Sequence, residues 1–504
     1  MGVFPQPKRN KNTNINCILV KLEVVWLIII EIFIMFRIYL LIIGLVILTG
    51  CAGGGGTRTL TYTSAAAFQT TEYSAQSGLA LVKASSMYYN GHYRWYAQNG
   101  GTAGNPSEST AGTGLDIKIA VVDSGVIAAE AATGSSIIID TVNSYDYVSP
   151  GSNPVSNDGT GHGTHVAGII AAPKNGSGMH GIASGASIVN LRILNNSNAA
   201  PTSFGDAQWA DLSTRSLAAG AYISNNSWGS STLITSVSAA TLNASLPLTI
   251  TAYRNYVANG GVVVWSTGND TVTTQLQPGY QAGMPHFITG LQKGWLAVTS
   301  VGPDGVIPNY ANRCGVAAAW CLAAPGGGDN QDADGIYSTY NNGGYTRLSG
   351  TSMAAPMVSG AIAGLKSMFP NLSYQDIAAR LLTTANKTGI YADSAIYGQG
   401  LMDLEAASNP VGGLSLPTAS HTSGSMGSVS TSSITLPSSI AASMRNSRIL
   451  VVDNYQKAPF WVPASSFVKE LTIQSNFAVR HMNSMAEPSP IDREYGKGMK
   501  FTQV

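Results

Sequence analysis

Between residues 117 and 324 short runs of apolar, β-branched residues alternate with segments of helical period. The runs are Ile117 to Val122, Ser187 to Leu191, Tyr222 to Ser227, Gly261 to Thr267, Leu296 to Val301 and Cys321 to Ala324. Each has the length and composition of a strand buried on both faces. Helical patterns fall between and after them, at Gly163 to Ala172, Asp211 to Ala219, Thr249 to Ala258, Thr351 to Phe369 and Ser373 to Thr384. Strands alternating with helices predict an α/β fold, a mostly parallel sheet with helices on both faces. In such sheets chemistry collects beyond the carboxyl ends of the strands. The Gly, Ser and Thr cluster from Gly100 to Gly114 reads as a loop entering this core. From Pro410 onward, most clearly between Ser415 and Ser433, the texture turns to Ser, Thr and Met with little period, which predicts a linker and a small Ser/Thr-rich C-terminal appendage of β type.

The amino terminus carries a different pattern. Ile38 to Leu48 is an unbroken apolar run preceded by Met35 and Arg37 and followed by Thr49-Gly50-Cys51. Charged start, apolar middle and small residues at the end are the parts of a secretory signal. A cysteine directly after the small residues also resembles the lipobox of bacterial lipoproteins. That likeness implies lipidation of Cys51, export, and a lipid anchor at the outer membrane or cell surface. Gly53 to Gly56 then form a flexible tether. A transmembrane helix from Val24 to Leu48 is the competing reading, long enough to span the bilayer. It would bury Glu31 and Arg37, at about 2.5–3.5 kcal/mol for each charge at mid-membrane. Met35 to Cys51 is a complete signal by itself, which makes Met35 a candidate true start.

Composition narrows the choice of partner. At 504 residues the chain holds one large domain with appendages. Lys and Arg total 27 against 26 Asp and Glu, so no single-sign field points to nucleic acid. Cys17 and Cys51 lie in the addressing region. Cys314 and Cys321 are close enough in sequence for a short loop to close them into a disulfide in an oxidising compartment. Two unrelated buried thiols are the other reading.

Four segments carry chemistry. A serine hydroxyl is a poor nucleophile at neutral pH, so a hydrolase sets an imidazole beside it, a carboxylate behind the imidazole, and donors where the oxyanion forms. Val121-Val122-Asp123-Ser124-Gly125 ends a buried strand on a carboxylate. Gly161-His162-Gly163-Thr164-His165-Val166-Ala167-Gly168 starts a small-residue helix on an imidazole. Val264-Trp265-Ser266-Thr267-Gly268-Asn269-Asp270 delivers an amide at a strand end, and Ser349-Gly350-Thr351-Ser352-Met353-Ala354-Ala355-Pro356 opens an apolar helix on a serine. That helix start aims backbone N–H groups and the helix dipole at developing negative charge. His162 and His165 are also spaced as metal ligands are, but no third ligand stands at helical spacing, so no metal is assigned.

In the order Asp, His, Asn, Ser these segments resemble the subtilisin-like serine proteases over roughly residues 72–410. The resemblance implies a serine endopeptidase acting on proteins and peptides through an acyl-enzyme. Asp123 would orient His162, His162 would act as general base and then acid, Ser352 would attack, and Asn269 would hold the oxyanion. Asn225-Asn226-Ser227-Trp228-Gly229 resembles the family's substrate-binding strand. Ser227, Trp228 and Gly229 with Ser266, Thr267 and Gly268 would wall the primary specificity pocket. Asp270 is either a selector of basic side chains at its rim or a solvated loop carboxylate. Structural calcium is common in the family, but no ligands are assigned here. Within the family the chain is similar to lipoprotein subtilase passengers of Gram-negative autotransporters, which share the lipobox, the glycine run and the Cys314 and Cys321 pair. Those proteins end in a membrane β-barrel, which the residues after Pro410 are too few to build, so the chain reads as truncated or as keeping only the lipid anchor. Met357 stands where many relatives carry histidine, and no inhibitory prosegment is recognisable between Cys51 and Asp123. The expected organisation is a signal and lipobox over 1–51, a tether over 52–71, the peptidase domain over 72–410, and a linker with a passenger-like appendage over 411–504.

Overall fold

The computed structural model describes residues 64–98, 112–128, 136–153, 157–270, 276–418, 427–430, 434–436, 448–463 and 468–470. The signal segment, Met35, Cys51 and the glycine run lie outside the described residues. No helix among the described residues is long and apolar enough to cross a membrane.

Six strands build the centre: β1 Lys118–Asp123, β2 Ser187–Arg192, β3 Ile223–Asn226, β4 Val262–Ser266, β5 Trp295–Val301 and β6 Cys321–Pro325. They pair in parallel in the order β2-β1-β3-β4-β5-β6, with two short strands, Ile138–Ile139 and Tyr145–Asp146, added beside β2. Successive side chains of a strand point to opposite faces, and the burial follows that rule. Ile119 and Val121 of β1 and Val262 and Val264 of β4 join one apolar cluster. Ala120 and Val122 of β1 join a second, and Val263 and Trp265 of β4 a third. Both faces are thus apolar, and both are covered by helices. On one lie α2 His162–Ala171 and the long α5 Thr351–Met368, and on the other α3 Asp206–Ala218 and α4 Pro247–Ala258. Ala354, Ala355, Gly360, Ala361 and Gly364 keep α5 slim, so it lies close against the sheet with nearly every residue buried.

Three segments differ from the expected pattern. Helix α1, Ala84–Gln98, precedes the Gly100 to Gly114 cluster, in a stretch where no element was expected, and its Met87 and Tyr88 are buried in the main cluster. Helix α3 begins at Asp206 rather than Asp211. The Asp206 carboxylate accepts from the N–H groups of Leu248 and Thr249 at 2.7 and 2.9 Å, so it caps the start of α4 from a neighbouring helix. Beyond Pro410, strands Leu414–Thr418, Arg448–Asp453 and Pro459–Pro463 form an antiparallel sheet. Val451 and Phe460 join the main cluster, where the Phe460 ring meets Phe369 at 5.4 Å. Residues 448–462 are therefore part of the core and not a tethered appendage.

Candidate active site

Strand β1 delivers Asp123 to the carboxyl end of the sheet, fully buried. Its Oδ1 accepts from the Ser124 N–H at 2.7 Å and from His162 Nδ1 at 2.7 Å. His162 is the first residue of α2, and the helix can approach the strand end because the next residue is glycine. A Cβ on Gly163 would collide with the Gly125 carbonyl and press on the Asp123 side chain. The cap residue of α2, Gly161, has no side chain with which to cap, and Asp158 acts in its place. The Asp158 carboxylate accepts from Gly161 N, Thr164 N, Thr164 Oγ1 and Ser124 Oγ at 2.9, 2.8, 2.6 and 2.9 Å. The Ser124 hydroxyl accepts from Gly163 N at 2.9 Å in turn. Asp158 and Ser124 thereby fasten the imidazole-bearing end of α2 to the carboxylate-bearing end of β1.

The electrostatics follow from this geometry. Burial by itself would lower the His162 pKa, but the charge and hydrogen bond of Asp123 and the charge of Asp158 outweigh it and hold the pKa above the ordinary histidine value. The His162 side chain stays 23% exposed, so the ring can still be approached. His165 is different. Its ring is wholly buried, Nε2 donates to the carbonyls of Ile336 and Thr346 at 3.0 and 3.2 Å, and burial pushes its pKa down to about 3. It fixes a hairpin under α2 and does not join His162 as a ligand pair. Among the described residues no group of His, Cys, Asp and Glu is arranged to hold a metal.

Ser352 is the second residue of α5, where a helix N–H has no intrahelical acceptor. Its Oγ donates to the Ser227 carbonyl at 2.8 Å, and the Ser227 Oγ donates back to the Ser352 carbonyl at 2.8 Å. Pro356 explains the second bond. In an α-helix the N–H of residue 356 would bond the carbonyl of residue 352. Proline has no N–H, so that carbonyl is left for Ser227. Asn225 completes the joint, donating to Ser227 Oγ at 3.0 Å and accepting from Ser359 Oγ at 2.8 Å.

Asn269 arrives from the end of β4. Its Oδ1 accepts from Thr351 N and Thr351 Oγ1 at 2.9 and 2.8 Å. With the oxygen held, Nδ2 has no partner among the described residues and stands where a Cβ on Gly350 would lie only 3.2 Å away. A buried residue not singled out in the sequence, Asn312, clasps this loop. It donates N to the Gly268 carbonyl at 3.0 Å and Nδ2 to Asp270 at 2.8 Å, and accepts from Asp270 N at 3.0 Å. Just beyond it, Cys314 and Cys321 are joined by a disulfide.

A cavity of about 250 Å³ opens at Ser352 and Asn269, lined also by Trp228, Gly229, Ser266, Thr267, Gly268 and Asp270. Five of the six expected wall residues therefore do line it; Ser227, only 2% exposed, instead holds the helix start. Ser230, Ser231, Gly279, Gln281 and Thr351 complete the lining and were not foreseen. The Asp158 cap carried a local sequence signal, a carboxylate just ahead of a glycine-capped helix. Asn312 carried none because it reaches the site from a loop 42 residues beyond Asp270, and Gln281 carried none because it stands in a four-residue helix, Tyr280–Gly283, too short to show a pattern.

The subtilase family model matches residues 114–400, more than half of the chain. Subtilisin DY of Bacillus licheniformis is 32% identical over 300 residues, 58% of this chain and 91% of that protein. An extracellular serine protease of Serratia marcescens is 26% identical over 394 residues, 68% of this chain but 34% of that protein. Serotype-specific antigen 1 of Mannheimia haemolytica is 30% identical over 212 residues, 40% of this chain and 22% of that protein. The chain thus spans about a third or less of the second and third of these relatives. With a parallel sheet of this order and a family match across it, the chain belongs to the subtilase family and is a subtilisin-like serine peptidase.

Proposed function

We propose that the chain is an endopeptidase that hydrolyses peptide bonds of proteins through an acyl-enzyme on Ser352. His162 is its base and Asp123 the orienter of that base, and Asn269 with the Ser352 N–H is its oxyanion site. The observation that carries this reading is the cavity lined by Ser352 and by Asn269, whose Nδ2 has no partner among the described residues, with His162 held by Asp123 at 2.7 Å at the end of the strand that neighbours Ile223–Asn226.

The steps follow from the groups. Ser352 Oγ leaves the Ser227 carbonyl by rotating about its Cα–Cβ bond toward His162, because a carbonyl can accept the hydrogen bond but cannot take the proton. His162 Nε2 takes the proton as Oγ attacks the substrate carbonyl, and Asp123 stabilises the imidazolium through Nδ1–H. The new oxyanion accepts from Asn269 Nδ2 and Ser352 N–H. The imidazolium then protonates the departing amine. Water, deprotonated by the same imidazole, releases the acyl group and restores Ser352.

We also place the protein outside the cytoplasm, anchored by a lipid on Cys51 as a relative of the autotransporter passengers, with the Cys314 to Cys321 disulfide suited to an oxidising compartment. The extracellular relative in Serratia supports export. Radiolabelled palmitate incorporated into the wild type and lost in Cys51→Ser tests the anchor; no incorporation contradicts it.

A serine-directed phosphonate tests the catalytic assignment. Mass mapping should find one adduct, on Ser352, absent from a folded His162→Ala variant. An adduct on another serine, or undiminished labelling without His162, would refute it.

A further inference from the structure

The residue whose carbonyl Ser352 attacks places its side chain in the cavity beside Ser352 and Asn269, so the walls of that cavity choose where the chain is cut. This inference rests on the peptidase reading above. Gln281 is the wall residue whose chemistry is most constrained. It is only 7% exposed, it lines the cavity, and its backbone carbonyl is fixed by Trp295 Nε1 at 3.2 Å. Its side-chain oxygen is identified by its partner: the Ser230 N–H donates to Oε1 at 3.2 Å. A backbone N–H accepts nothing, so the amide cannot be turned end for end without losing this bond. Nε2 is then left as a donor with no partner among the described residues, on a residue that lines the cavity beside the small groups Gly229, Ser230 and Gly279.

Asp270 is the one ionisable residue among the described residues lining the cavity. Its carboxylate accepts from Asn312 Nδ2 at 2.8 Å. Its negative charge opposes a carboxylate in the cavity. A lysine or arginine is attracted by Asp270, whose carboxylate Asn312 Nδ2 already engages, but at Nε2 it meets a donor to which it offers no lone pair. An aliphatic side chain would displace water from Nε2 and leave a buried donor unpaired, a penalty that selects strongly against analogues lacking the matching group. We infer that Gln281 is a specificity-determining residue that selects a neutral side chain ending in a carbonyl oxygen, glutamine best, on the acyl side of the bond that is cut.

The test is a panel of peptide anilides, identical except for Gln, Glu, Leu or Lys at the residue before the anilide, hydrolysed by the full chain. The expected result is a kcat/KM for Gln roughly tenfold or more above Leu, with Glu and Lys also below Gln. Gln281→Glu keeps the size and the acceptor for Ser230 N but replaces the donor by a carboxylate, so it should invert the ranking to favour Lys. Gln281→Met removes the donor and should bring Leu level with or above Gln. A merely structural role for Gln281 would scale all four rates together. Wild-type hydrolysis of Leu or Lys peptides as fast as Gln, or an unchanged ranking in folded Gln281→Glu, overturns the inference while the peptidase reading stands. No hydrolysis of any peptide by the wild type overturns both.

Discussion

Ser352 rests with its hydroxyl on the Ser227 carbonyl and its own carbonyl under the Ser227 hydroxyl, a joint made necessary by Pro356. Ser227→Ala should leave a buried carbonyl and the Asn225 amide each short of a partner and cost about 1–3 kcal/mol in urea unfolding; a change within error would show that the joint is dispensable. In the proposed mechanism His162 must be neutral to take a proton, and its pKa is held above the ordinary value by Asp123 and Asp158 despite burial. Activity is therefore absent while the imidazole is protonated and appears as pH rises through an inflection above about 6.5, the ordinary histidine value. Asp158→Asn removes one of those charges and should move the kcat/KM inflection to lower pH; an unmoved or raised inflection contradicts the charge argument. For Asn269→Ala, kcat should fall by about 10²–10³ with the fold intact, a magnitude known from a protease of this same family. Asp123, His162, Asn269 and Ser352 were legible as candidates because each sits inside a local pattern: a strand end, a glycine-flanked helix start, or a serine at the head of an apolar helix. The resting position of Ser352 and the clasp of Asn312 were not, since both depend on partners far along the chain.

Among the elements, the joint between α6, Tyr374–Thr384, and strand Arg448–Asp453 reaches well past the expected end of the domain. Arg380 is wholly buried, pairs with Asp453 at 2.8 Å, and donates to the carbonyls of Ala407 and Asn409, each at 2.6 Å. Removing one partner of such a pair strands a buried charge, so Asp453→Ala should cost about 3–5 kcal/mol in denaturant unfolding. A loss below 1 kcal/mol would mean that the tail strands are peripheral. The central strands were readable because a sheet buried on both faces demands continuous apolar runs. Helix α1 was not, because its Tyr, Ser and His residues give no clear apolar stripe, and its burial comes from the surface that α5 and the tail present to it. The β character of the tail was expected, but its packing was not, because the partners that turn strands Arg448–Asp453 and Pro459–Pro463 into core, among them Phe369, Arg380 and Arg94, lie far away in sequence.

Over the whole molecule, one parallel sheet brings Asp123 and Asn269 to its carboxyl ends, while α2 and α5 begin at that same edge and present His162 and Ser352. Residues separated along the chain are brought to one edge because every βα unit runs the same way, which is why strand ends and helix starts in the sequence, with the family resemblance, pointed to this candidate site. The central claim is that this edge is a peptidase centre with Ser352 as its nucleophile. The measurement that tests it most directly is casein hydrolysis by the full chain beside Ser352→Ala at matched concentration, with thermal unfolding recorded for both. The account predicts hydrolysis by the wild type and none detectable in the variant, with both chains folded. Equal hydrolysis by the two, or a folded wild type that leaves casein intact, would contradict it.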